Sequence, residues 1–321
     1  MSRSSFKYEA LMPAIAVLIP CYNEQAAISK VVADFRRVLP HAAIYVYDNN
    51  SRDKTVSVAR EAGAIVRAEP LQGKGNVVRR MFADVEADIY VLVDGDATYD
   101  ADSAPLMIQA LLDGPLDMVN GARQSTTVNA YRPGHRFGNW MLTSMVSWIF
   151  GNRFTDMLSG YRVFSRRYVK SFPALSAGFE TETELTVHAL ELRMPTAEIM
   201  TPYQDRPPGS VSKLSTFRDG FRILWTIVVL VKEERPMLFF LILSALFAFT
   251  SIGLIIPILV KFLETGLVPR MPTAVLSMGL MIVAFLSLTC GLVLDTVTRG
   301  RQEMKRMRYL DMPAFCPDKK G

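Results

Sequence analysis

Two aspartates, Asp94 and Asp96, directly follow an apolar run in the segment VLVDGDATYDAD at residues 91–102. Two positions apart on an extended chain, their side chains lie on the same face. Carboxylates held this close repel each other unless a cation lies between them. Mg²⁺ in proteins is typically bound by one or two carboxylates together with substrate phosphates. The pair therefore indicates either a site for a metal and a diphosphate or, more simply, a polar turn at the end of a strand.

Short β-rich runs alternate with amphipathic helices through residues 1–205. This alternation predicts an α/β fold with a mainly parallel sheet and helices on both faces. Ligands of such sheets bind beyond the carboxyl ends of the strands. Polar clusters follow three predicted strands, so we expect them to converge on one edge, at residues 20–24, 48–51 and 94–96. The predicted strands are 14–20, 44–48, 64–69 and 88–94, and the predicted helices are 24–39, 51–63 and 73–85.

Residues 237–260 and 274–294 contain no charged side chain. Because a helix of about 20 apolar residues can cross a bilayer, we predict two spans joined as a hairpin. Basic residues flank both outer ends, whereas the joining segment holds only Lys261 and Arg270 as basic residues. The positive-inside rule then places both ends of the hairpin in the cytoplasm, at the inner or plasma membrane. Anionic lipid headgroups would hold the basic tail at that surface.

The predicted organisation has four parts. They are a globular domain at 1–205, a juxtamembrane amphipathic segment at 206–235, a transmembrane hairpin at 236–298 and a basic cytoplasmic tail at 299–321.

Residues 140–150 are apolar but too short to span, and an interfacial helix and a core helix fit them equally well. Residues 214–231 suit a helix lying along the membrane, although an ordinary amphipathic helix packed on the domain also fits.

The bulk composition excludes several classes of protein. A net charge of +5, with no stripe of basic and aromatic residues in the first 200 positions, argues against nucleic-acid binding. The three cysteines are far apart and lack metal-binding spacing, which argues against a disulfide framework and a zinc site and favours a reducing compartment. The N-terminus has no long apolar core behind a basic start, so no signal peptide is expected.

Several segments follow one another in an order that resembles the family 2 glycosyltransferases of the GT-A fold. They are VLIPCYNE (17–24), YDNNSRDKT (47–55), GKGNVVRR (73–80) and VDGDATY (93–99). The later segments TDMLSGYRVF (155–164) and RPPGSVSKL (206–214) resemble the dolichyl- or polyprenyl-phosphate glycosyltransferases, which include dolichol-phosphate mannose synthase and the GtrB-type enzymes. The resemblance covers residues 14–235, and two C-terminal spans are typical of the GtrB-type branch. It implies a Rossmann-like GT-A catalytic domain.

The resemblance also implies a role for individual residues in binding the nucleotide sugar. Pro20, Tyr22 and Glu24 would line the base and ribose, Asp48 and Asn49 would contact the base, and Arg123 would meet the phosphates. Asp94 would contact the nucleotide and Asp96 would bind the metal, with Asp94 as a second metal ligand. The family usually has an acid where this chain has Asn49 and a glycine where it has Asn50, and the match at Lys213 is offset by one residue. The full set of nucleotide-sugar residues is Pro20, Tyr22, Glu24, Asp48, Asn49, Lys74, Asp94, Gly95, Asp96, Arg123, Arg206 and Lys213.

Asp156 would lie at the reaction centre and act in catalysis together with Asp96. Arg136, Arg162 and Lys213 would bind the lipid phosphate, although Arg162 could simply pair with an acid in the core. The acids at positions 180, 182 and 184 could be a solvated helix start, or one of them could lie near the sugar. The three histidines are scattered without a neighbouring nucleophile motif, which favours structural or surface roles.

The resemblance implies transfer of a hexose from a nucleotide sugar to a polyprenyl phosphate, with Mg²⁺ or Mn²⁺, and analogy with bacterial two-span relatives favours UDP over GDP in the donor. A phosphate monoester is largely ionised near neutral pH, since its second pKa is about 6, so it can attack without a strong base. The expected result is inversion from an α-linked donor to a β-linked lipid phosphate. Relatives suggest a homotetramer. The alternatives are a processive polysaccharide synthase, whose Q-x-x-R-W motif is absent here, and a non-catalytic nucleotide-binding membrane anchor.

Overall fold

The computed structural model describes residues 12–125, 144, 154–174, 178, 180–204, 225, 228–229, 231–268 and 270–313. Within these residues the strands are β1 (Ile15–Cys21), β2 (Ala43–Asp48), β3 (Ile65–Ala68), β4 (Ile89–Leu92), β5 (Met118–Ser125), β6 (Arg162–Ser165) and β7 (Thr196–Tyr203). The α-helices are α1 (Ile28–Val38), α2 (Thr55–Glu61), α3 (Lys74–Asp84), α4 (Ala104–Asp113), α5 (Arg166–Ser171), α6 (Thr181–Glu191), α7 (Pro236–Thr265) and α8 (Met271–Leu310).

The strands form a seven-stranded sheet in the order β3-β2-β1-β4-β6-β5-β7. Strand β1 pairs in parallel with β2 and β4, β2 pairs in parallel with β3, and β5 pairs in parallel with β7. Strand β6 is antiparallel to both of its neighbours, β4 and β5. The prediction of a mainly parallel α/β sheet is therefore confirmed, and β6 adds the one antiparallel strand of this sheet.

The core explains why these segments become strands and helices. Val17, Leu18 and Ile19 of β1 are fully buried, as expected for a parallel strand covered on both faces. Helix α1 buries residues spaced three and four apart, among them Val32 and Phe35, so that it presents one apolar stripe to the sheet. This packing fixes the position of the strand ends at which the polar clusters begin.

One edge of the sheet collects the carboxyl ends of β1, β2 and β4, because Cys21 pairs with Asp48 and Leu18 pairs with Leu92. Strand β6 runs in the opposite direction and starts at this edge, where Arg162 pairs with Leu92. The loop before β6 is therefore also at the edge. The end of β5 reaches the same place, since β5 is antiparallel to β6. Residues more than 100 positions apart can thus contribute to one site.

The chain divides into two compact units, one of residues 1–220 with 305–321 and the other of residues 221–304. The last turns of α8 belong to the first unit, where Lys305 Nζ lies 2.6 Å from Glu191 Oε2. Tyr309 donates its hydroxyl to Asp117 Oδ2 over 2.7 Å. Asp117 is fully buried and also accepts a bond from Arg167, whose guanidinium lies over the Tyr309 ring. A segment predicted as basic tail therefore supplies partners to two buried carboxylates.

Replacing Lys305 by Met is expected to lower the free energy of unfolding by about 3–5 kcal/mol, because it leaves a buried charge without its partner. The carboxylate that would lose its partner is that of Glu191, whose side chain is 1% exposed. Chemical unfolding of the detergent-solubilised protein measures the change. Arg306→Met is the matched control, since Arg306 is exposed one position further on and should change stability by less than about 0.5 kcal/mol. Equal stabilities of the two variants would contradict the expectation.

The second unit contains α7 and most of α8, two helices of 30 and 40 residues with mean hydropathies of 2.5 and 2.2 over their most apolar stretches. By length and composition both can cross a membrane. Small buried side chains recur every seventh residue on α8, at Ser277, Ala284 and Gly291. Ser244 and Ser251 of α7 donate to the carbonyl oxygens of Ala284 and Ser277, over 2.8 and 2.7 Å. Small residues with interhelical hydrogen bonds are typical of packed membrane helices.

Candidate active site

The predicted metal-binding turn, Asp94-Gly95-Asp96, lies just beyond β4. Asp96 is 5% exposed, and its Oδ1 accepts bonds from Thr98 N at 3.2 Å and Thr98 Oγ1 at 2.6 Å. Gly95 packs against the end of β1, where an added Cβ would lie 2.6 Å from Cys21 Sγ. A side chain at position 95 would therefore require the Cys21 thiol or the turn to shift. The packing and the threonine bonds together hold the Asp96 carboxylate in a fixed direction.

Lys74, the first residue of α3, lies between two carboxylates from other elements. Its Nζ is 2.5 Å from Asp94 Oδ1 and 2.5 Å from Glu182 Oε1, in the first turn of α6. Burial alone would lower the pKa of Lys74, but the charges of Asp94 and Glu182 outweigh it and raise that pKa above its ordinary value. Lys74 is therefore a fixed cation beside the turn. Glu182, with a side chain 9% exposed, is not a solvated helix-start acid.

Arg123, near the end of β5, and Asp156, in the loop before β6, form a bidentate ion pair. Arg123 Nε lies 2.6 Å from Asp156 Oδ2, and Arg123 Nη2 lies 2.7 Å from Asp156 Oδ1. Burial alone would raise the pKa of Asp156, but the hydrogen bonds and charge of Arg123 hold that pKa below its usual value. The two residues predicted at the phosphates and at the reaction centre are thus brought together, with the carboxylate ionised.

Two residues without a sequence signal hold the Asp156 loop in place. Glu198 of β7 accepts bonds from Thr155 N at 2.8 Å, from Thr155 Oγ1 at 2.6 Å and from Asp156 N at 3.2 Å. Asn120 of β5 donates to Asp156 O and to Glu198 Oε1, both over 2.8 Å. The loop is therefore tied to two neighbouring strands, and the Asp156 carboxylate is positioned by main-chain contacts as well as by Arg123.

Two tyrosines, Tyr99 and Tyr203, contact the loop before β6 and Arg123 at this edge of the sheet. Tyr99 OH accepts a bond from Gly160 N over 2.8 Å, and its ring lies 5.2 Å from that of Tyr203. The Arg123 guanidinium lies 5.6 Å from the centre of the Tyr203 ring. Gly160 also packs on Asp94, where an added Cβ would come within 2.3 Å of Oδ2. Gly160 thereby links the loop that carries Asp156 to the turn that carries Asp96.

The ends of β1 and β2 carry the residues predicted to bind the nucleoside. Pro20 and Tyr22 are half-buried and Glu24 is buried, with its backbone N bonded to Thr55 Oγ1 over 2.9 Å. Asp48 Oδ2 accepts the backbone N–H of residue 51 over 3.1 Å. Asp48 Oδ1 is buried and has no hydrogen-bond partner within the described part of the chain. A buried acceptor of this kind can receive an N–H from a ligand.

The position of Asn49 argues against the predicted contact with the base. Its Nδ2 donates to Glu69 O at 2.9 Å and to Leu71 O at 2.8 Å. Its Oδ1 accepts from Gly73 N at 2.7 Å and from Gln72 Nε2 at 3.4 Å. An amide has two donors and one acceptor oxygen with two lone pairs, so this side chain is satisfied within the protein. The motif identified Asn49, but it did not indicate which atoms the Asn49 side chain bonds.

Asn49→Asp restores the residue type that the family usually has, yet we expect it to destabilise this protein. The carboxylate would face the Glu69 and Leu71 carbonyl oxygens without a donor, which costs about 1–3 kcal/mol of unfolding free energy. Thermal unfolding followed by circular dichroism measures the loss. Asn50→Asp is the matched control, because Asn50 also donates to a carbonyl oxygen, Pro70 O at 2.9 Å, but is exposed, so water can solvate the new carboxylate. A stability of Asn49→Asp equal to that of Asn50→Asp would contradict the expectation.

The position of Arg162 likewise argues against its predicted contact with a lipid phosphate. The side chain is 0% exposed. Its guanidinium is bonded inside the domain, to Ser159 O at 3.0 Å, Thr186 Oγ1 at 2.8 Å, Met157 O at 2.6 Å and Glu182 O at 3.0 Å. Arg162 therefore ties the loop before β6 to α6. The alternative prediction, that Arg162 pairs with an acid in the core, fits its buried position better. The observed acceptors, however, are carbonyl oxygens and a hydroxyl.

Three predicted site residues, Arg136, Arg206 and Lys213, lie outside the described residues, as do most of the segments 140–150 and 214–231.

Of the histidines, His41 is exposed and His188 is buried in α6. Burial, with the nearby Lys305 charge, lowers the pKa of His188 to about 3, so it is neutral. Neither of these two histidines belongs to the residues gathered around Asp94 and Asp156.

The donor set suits a divalent cation only if the substrate supplies further ligands. No group of three or more His, Cys, Asp or Glu side chains in the described residues could hold a metal. Asp96 and Asp94 offer carboxylate oxygens, and the Asp94 Oδ1 is engaged by Lys74. Mg²⁺ and similar cations commonly combine one or two carboxylates with phosphates. The residues therefore fit a cation that arrives with, or is completed by, a diphosphate.

The sheet, with the acidic turn beyond β4, has the GT-A fold. A solved structure with this fold is glucosyl-3-phosphoglycerate synthase from Mycobacterium tuberculosis, crystallised with Mn²⁺, UDP and glucosyl-3-phosphoglycerate. It superposes with a TM-score of 0.56 at 22% identity, covering 68% of this chain and 79% of that chain. The likeness confirms the predicted fold class.

The chain belongs to glycosyl transferase family 2, whose profile matches residues 16–172. Glycosyltransferase AglJ of Haloferax volcanii is 32% identical over 305 residues, 93% of this chain and 98% of AglJ. The dolichyl-phosphate hexose transferase of the same species is 28% identical over 221 residues, 69% of this chain and 95% of that protein. The family resemblance predicted from the motifs is thereby confirmed.

Proposed function

We propose that this protein is a membrane-anchored inverting glycosyltransferase that moves a hexose from a nucleotide sugar to a polyprenyl phosphate, either undecaprenyl or dolichyl phosphate. The observation that carries the proposal is one sheet edge that holds the Asp94-Gly95-Asp96 turn, Lys74 and the Arg123–Asp156 pair, in a chain with two apolar helices of spanning length. The product, a lipid-phosphate sugar, would be a donor for modification of cell-envelope glycans.

The donor is proposed to bind along the ends of β1, β2 and β4. Asp48 Oδ1, which is buried, is suited to accept an N–H of the base. We favour UDP over GDP by similarity to two-span bacterial relatives. Asp96, with Asp94, would hold Mg²⁺ or Mn²⁺, which when bound supplies neutralisation of the leaving diphosphate. Lys74, a fixed cation beside Asp94, adds positive charge at the same place.

The acceptor phosphate is proposed to be the nucleophile itself. One of its anionic oxygens attacks the anomeric carbon, and the bond from that carbon to the donor diphosphate breaks, so that the electron pair leaves with the nucleoside diphosphate. No proton has to be removed from the acceptor, since a phosphate monoester is largely ionised near neutral pH. Asp156, kept ionised by Arg123, would stabilise the positive charge that develops at the anomeric carbon or orient the acceptor.

The membrane anchor is proposed to bring the enzyme to its acceptor, whose polyprenyl tail lies in the bilayer. Helices α7 and α8 would form the hairpin, with the catalytic domain and both termini in the cytoplasm, as the distribution of basic residues favours. Arg136, Arg206 and Lys213 remain predicted contacts to the phosphates. A homotetramer remains a proposal by similarity to the family.

Two other functions are less well supported. A processive polysaccharide synthase would need a Q-x-x-R-W motif, which the sequence lacks. A non-catalytic anchor would not need Asp156 held ionised by Arg123 or Lys74 held between two carboxylates, and the presence of both favours an enzyme.

Release of nucleotide tests the proposal. The purified protein in detergent is mixed with UDP- or GDP-hexoses, Mg²⁺ or Mn²⁺ and undecaprenyl phosphate. We expect UDP release that requires both the cation and the lipid phosphate. Release of GDP alone would change the donor assignment. Absence of release with every donor, in a protein that is folded by circular dichroism, would favour the non-catalytic anchor.

A further inference from the structure

The contact between Lys74 and two carboxylates joins three elements at the site. Lys74 opens α3, Asp94 follows β4, and Glu182 lies in the first turn of α6, 108 positions from Lys74. Both N–O distances are 2.5 Å. The Lys74 and Glu182 side chains are mostly buried, whereas Asp94 is the most exposed of the three. Asp94 is therefore the member that a ligand can reach.

Asp94 is held on two sides, by Lys74 at Oδ1 and by Gly160 against Oδ2. Gly160 packs on its Oδ2, and only the lack of a side chain at position 160 leaves room for that oxygen. A ligand that binds the Asp94 carboxylate must therefore compete with Lys74 for Oδ1. Breaking a buried ion pair is costly when it leaves one partner uncompensated. The cost falls if a second carboxylate retains the ammonium.

Glu182 is that second carboxylate. Its Oε1 accepts from Lys74, while its Oε2 is buried and has no hydrogen-bond partner among the described residues. A buried carboxylate oxygen without a partner is uncommon in folded proteins and needs an explanation. The spare oxygen gives Glu182 the capacity to hold Lys74 with both oxygens once Asp94 is engaged elsewhere.

We propose that Glu182 is a positioning residue that retains Lys74 in the site and so releases Asp94 to bind the metal–nucleotide complex. Glu182 acts through Lys74 and does not contact the ligand. This inference rests on the proposed function, because it needs a nucleoside diphosphate and a divalent cation at the Asp94-Gly95-Asp96 turn. It adds a residue outside the predicted binding set to the machinery of that site.

The test is a double-mutant cycle on binding, measured by calorimetry with the full-length protein in detergent. The probe is Mn²⁺ with UDP or GDP, whichever the wild-type protein binds more tightly. Glu182→Gln should raise the Kd about tenfold or more, the size of one charge-assisted hydrogen bond, because Lys74 then depends on Asp94 alone. In a Lys74→Met background the same change should alter Kd by less than about threefold, since the two residues then no longer interact.

Glu184→Gln is the matched control. Glu184 lies in the same turn of α6, so the substitution removes the same charge near the helix N-terminus, which should change Kd by less than about twofold. Should Glu182→Gln fail to fold, Glu182→Asp in both backgrounds supplies the same cycle. Its shorter side chain should give an intermediate rise in Kd with Lys74 present and none with Met at position 74.

An equal effect of Glu182→Gln with and without Lys74 would overturn the inference, because Glu182 would then act independently of Lys74. An unchanged Kd in Glu182→Gln would also overturn it. Either result leaves the proposed function standing, provided that the wild-type protein binds the probe. Failure of the wild-type protein to bind either nucleotide would contradict both the proposed function and this inference.

Discussion

Asp96→Asn is expected to lower the rate of metal-dependent hexosyl transfer by at least about 10²–10³-fold, the loss typical of removing one electrostatic group from a reacting centre. The amide keeps an oxygen that can accept the two Thr98 bonds, so the turn should persist. What it loses is the negative charge that makes the group a strong ligand for Mg²⁺ or Mn²⁺. Initial rates across a titration of each cation measure the effect.

Asp102→Asn is the control for Asp96→Asn, because Asp102 lies in the same acidic segment but forms an exposed ion pair with Arg37. Its transfer rate should match that of the wild-type protein, since such exposed pairs contribute little. Both variants should have the circular dichroism spectrum and unfolding midpoint of the parent. Full activity of folded Asp96→Asn would remove Asp96 from the metal site.

Asp156→Asn is expected to reduce transfer by a similar factor, about 10²–10³-fold, although donor binding should change less. The amide retains the shape of the side chain but loses the charge that faces Arg123 and, in the proposed mechanism, the anomeric carbon. The pKa of Asp156 lies below its usual value, so the charge is present throughout the neutral range. The kcat and KM for the nucleotide sugar, measured separately, distinguish a lost transition-state interaction from lost binding.

Arg123→Lys is the companion to Asp156→Asn. It keeps the positive charge but replaces the bidentate bond with a single contact, so the Asp156 carboxylate is held less firmly. A loss of kcat smaller than that of Asp156→Asn is expected, and rates are compared below the unfolding temperature of both variants. An activity of Asp156→Asn within about twofold of the wild-type protein would show that the carboxylate has no part in the chemistry.

The strands β1, β2 and β4 and the convergence of their polar ends could be predicted, because apolar runs that stop at acidic clusters are local signals. The partners of those clusters could not. Glu182 reaches Lys74 across 108 positions, and Glu198 reaches Asp156 across 42. Both contacts depend on how β6 and β7 join the sheet, and no short segment specifies that pairing. Sequence patterns therefore predicted which strand ends form the site, but not the ion pairs and hydrogen bonds that hold its side chains in place.

For two of the predicted site residues, the motifs did not indicate which atoms the side chains bond. Asn49 donates to carbonyl oxygens of the loop after β3, and Arg162 donates to carbonyl oxygens of the loop before β6 and of α6. A motif records which residue type occurs at a position and not where its donors are directed. Lys305 and Tyr309 likewise make contacts that no local pattern indicates, with Glu191 at the end of α6 and with Asp117 just before β5.

The source of the phosphate in the product tests the central claim most directly. Undecaprenyl phosphate labelled with ³³P is incubated with the protein, Mg²⁺ and a UDP-hexose labelled with ³²P at the β-phosphate, and the lipid product is isolated. We predict a β-linked hexosyl phosphate that carries ³³P alone, with all of the ³²P released as UDP. A lipid product that contains ³²P, or one with an α-linked sugar, would contradict direct attack of the lipid phosphate on the anomeric carbon.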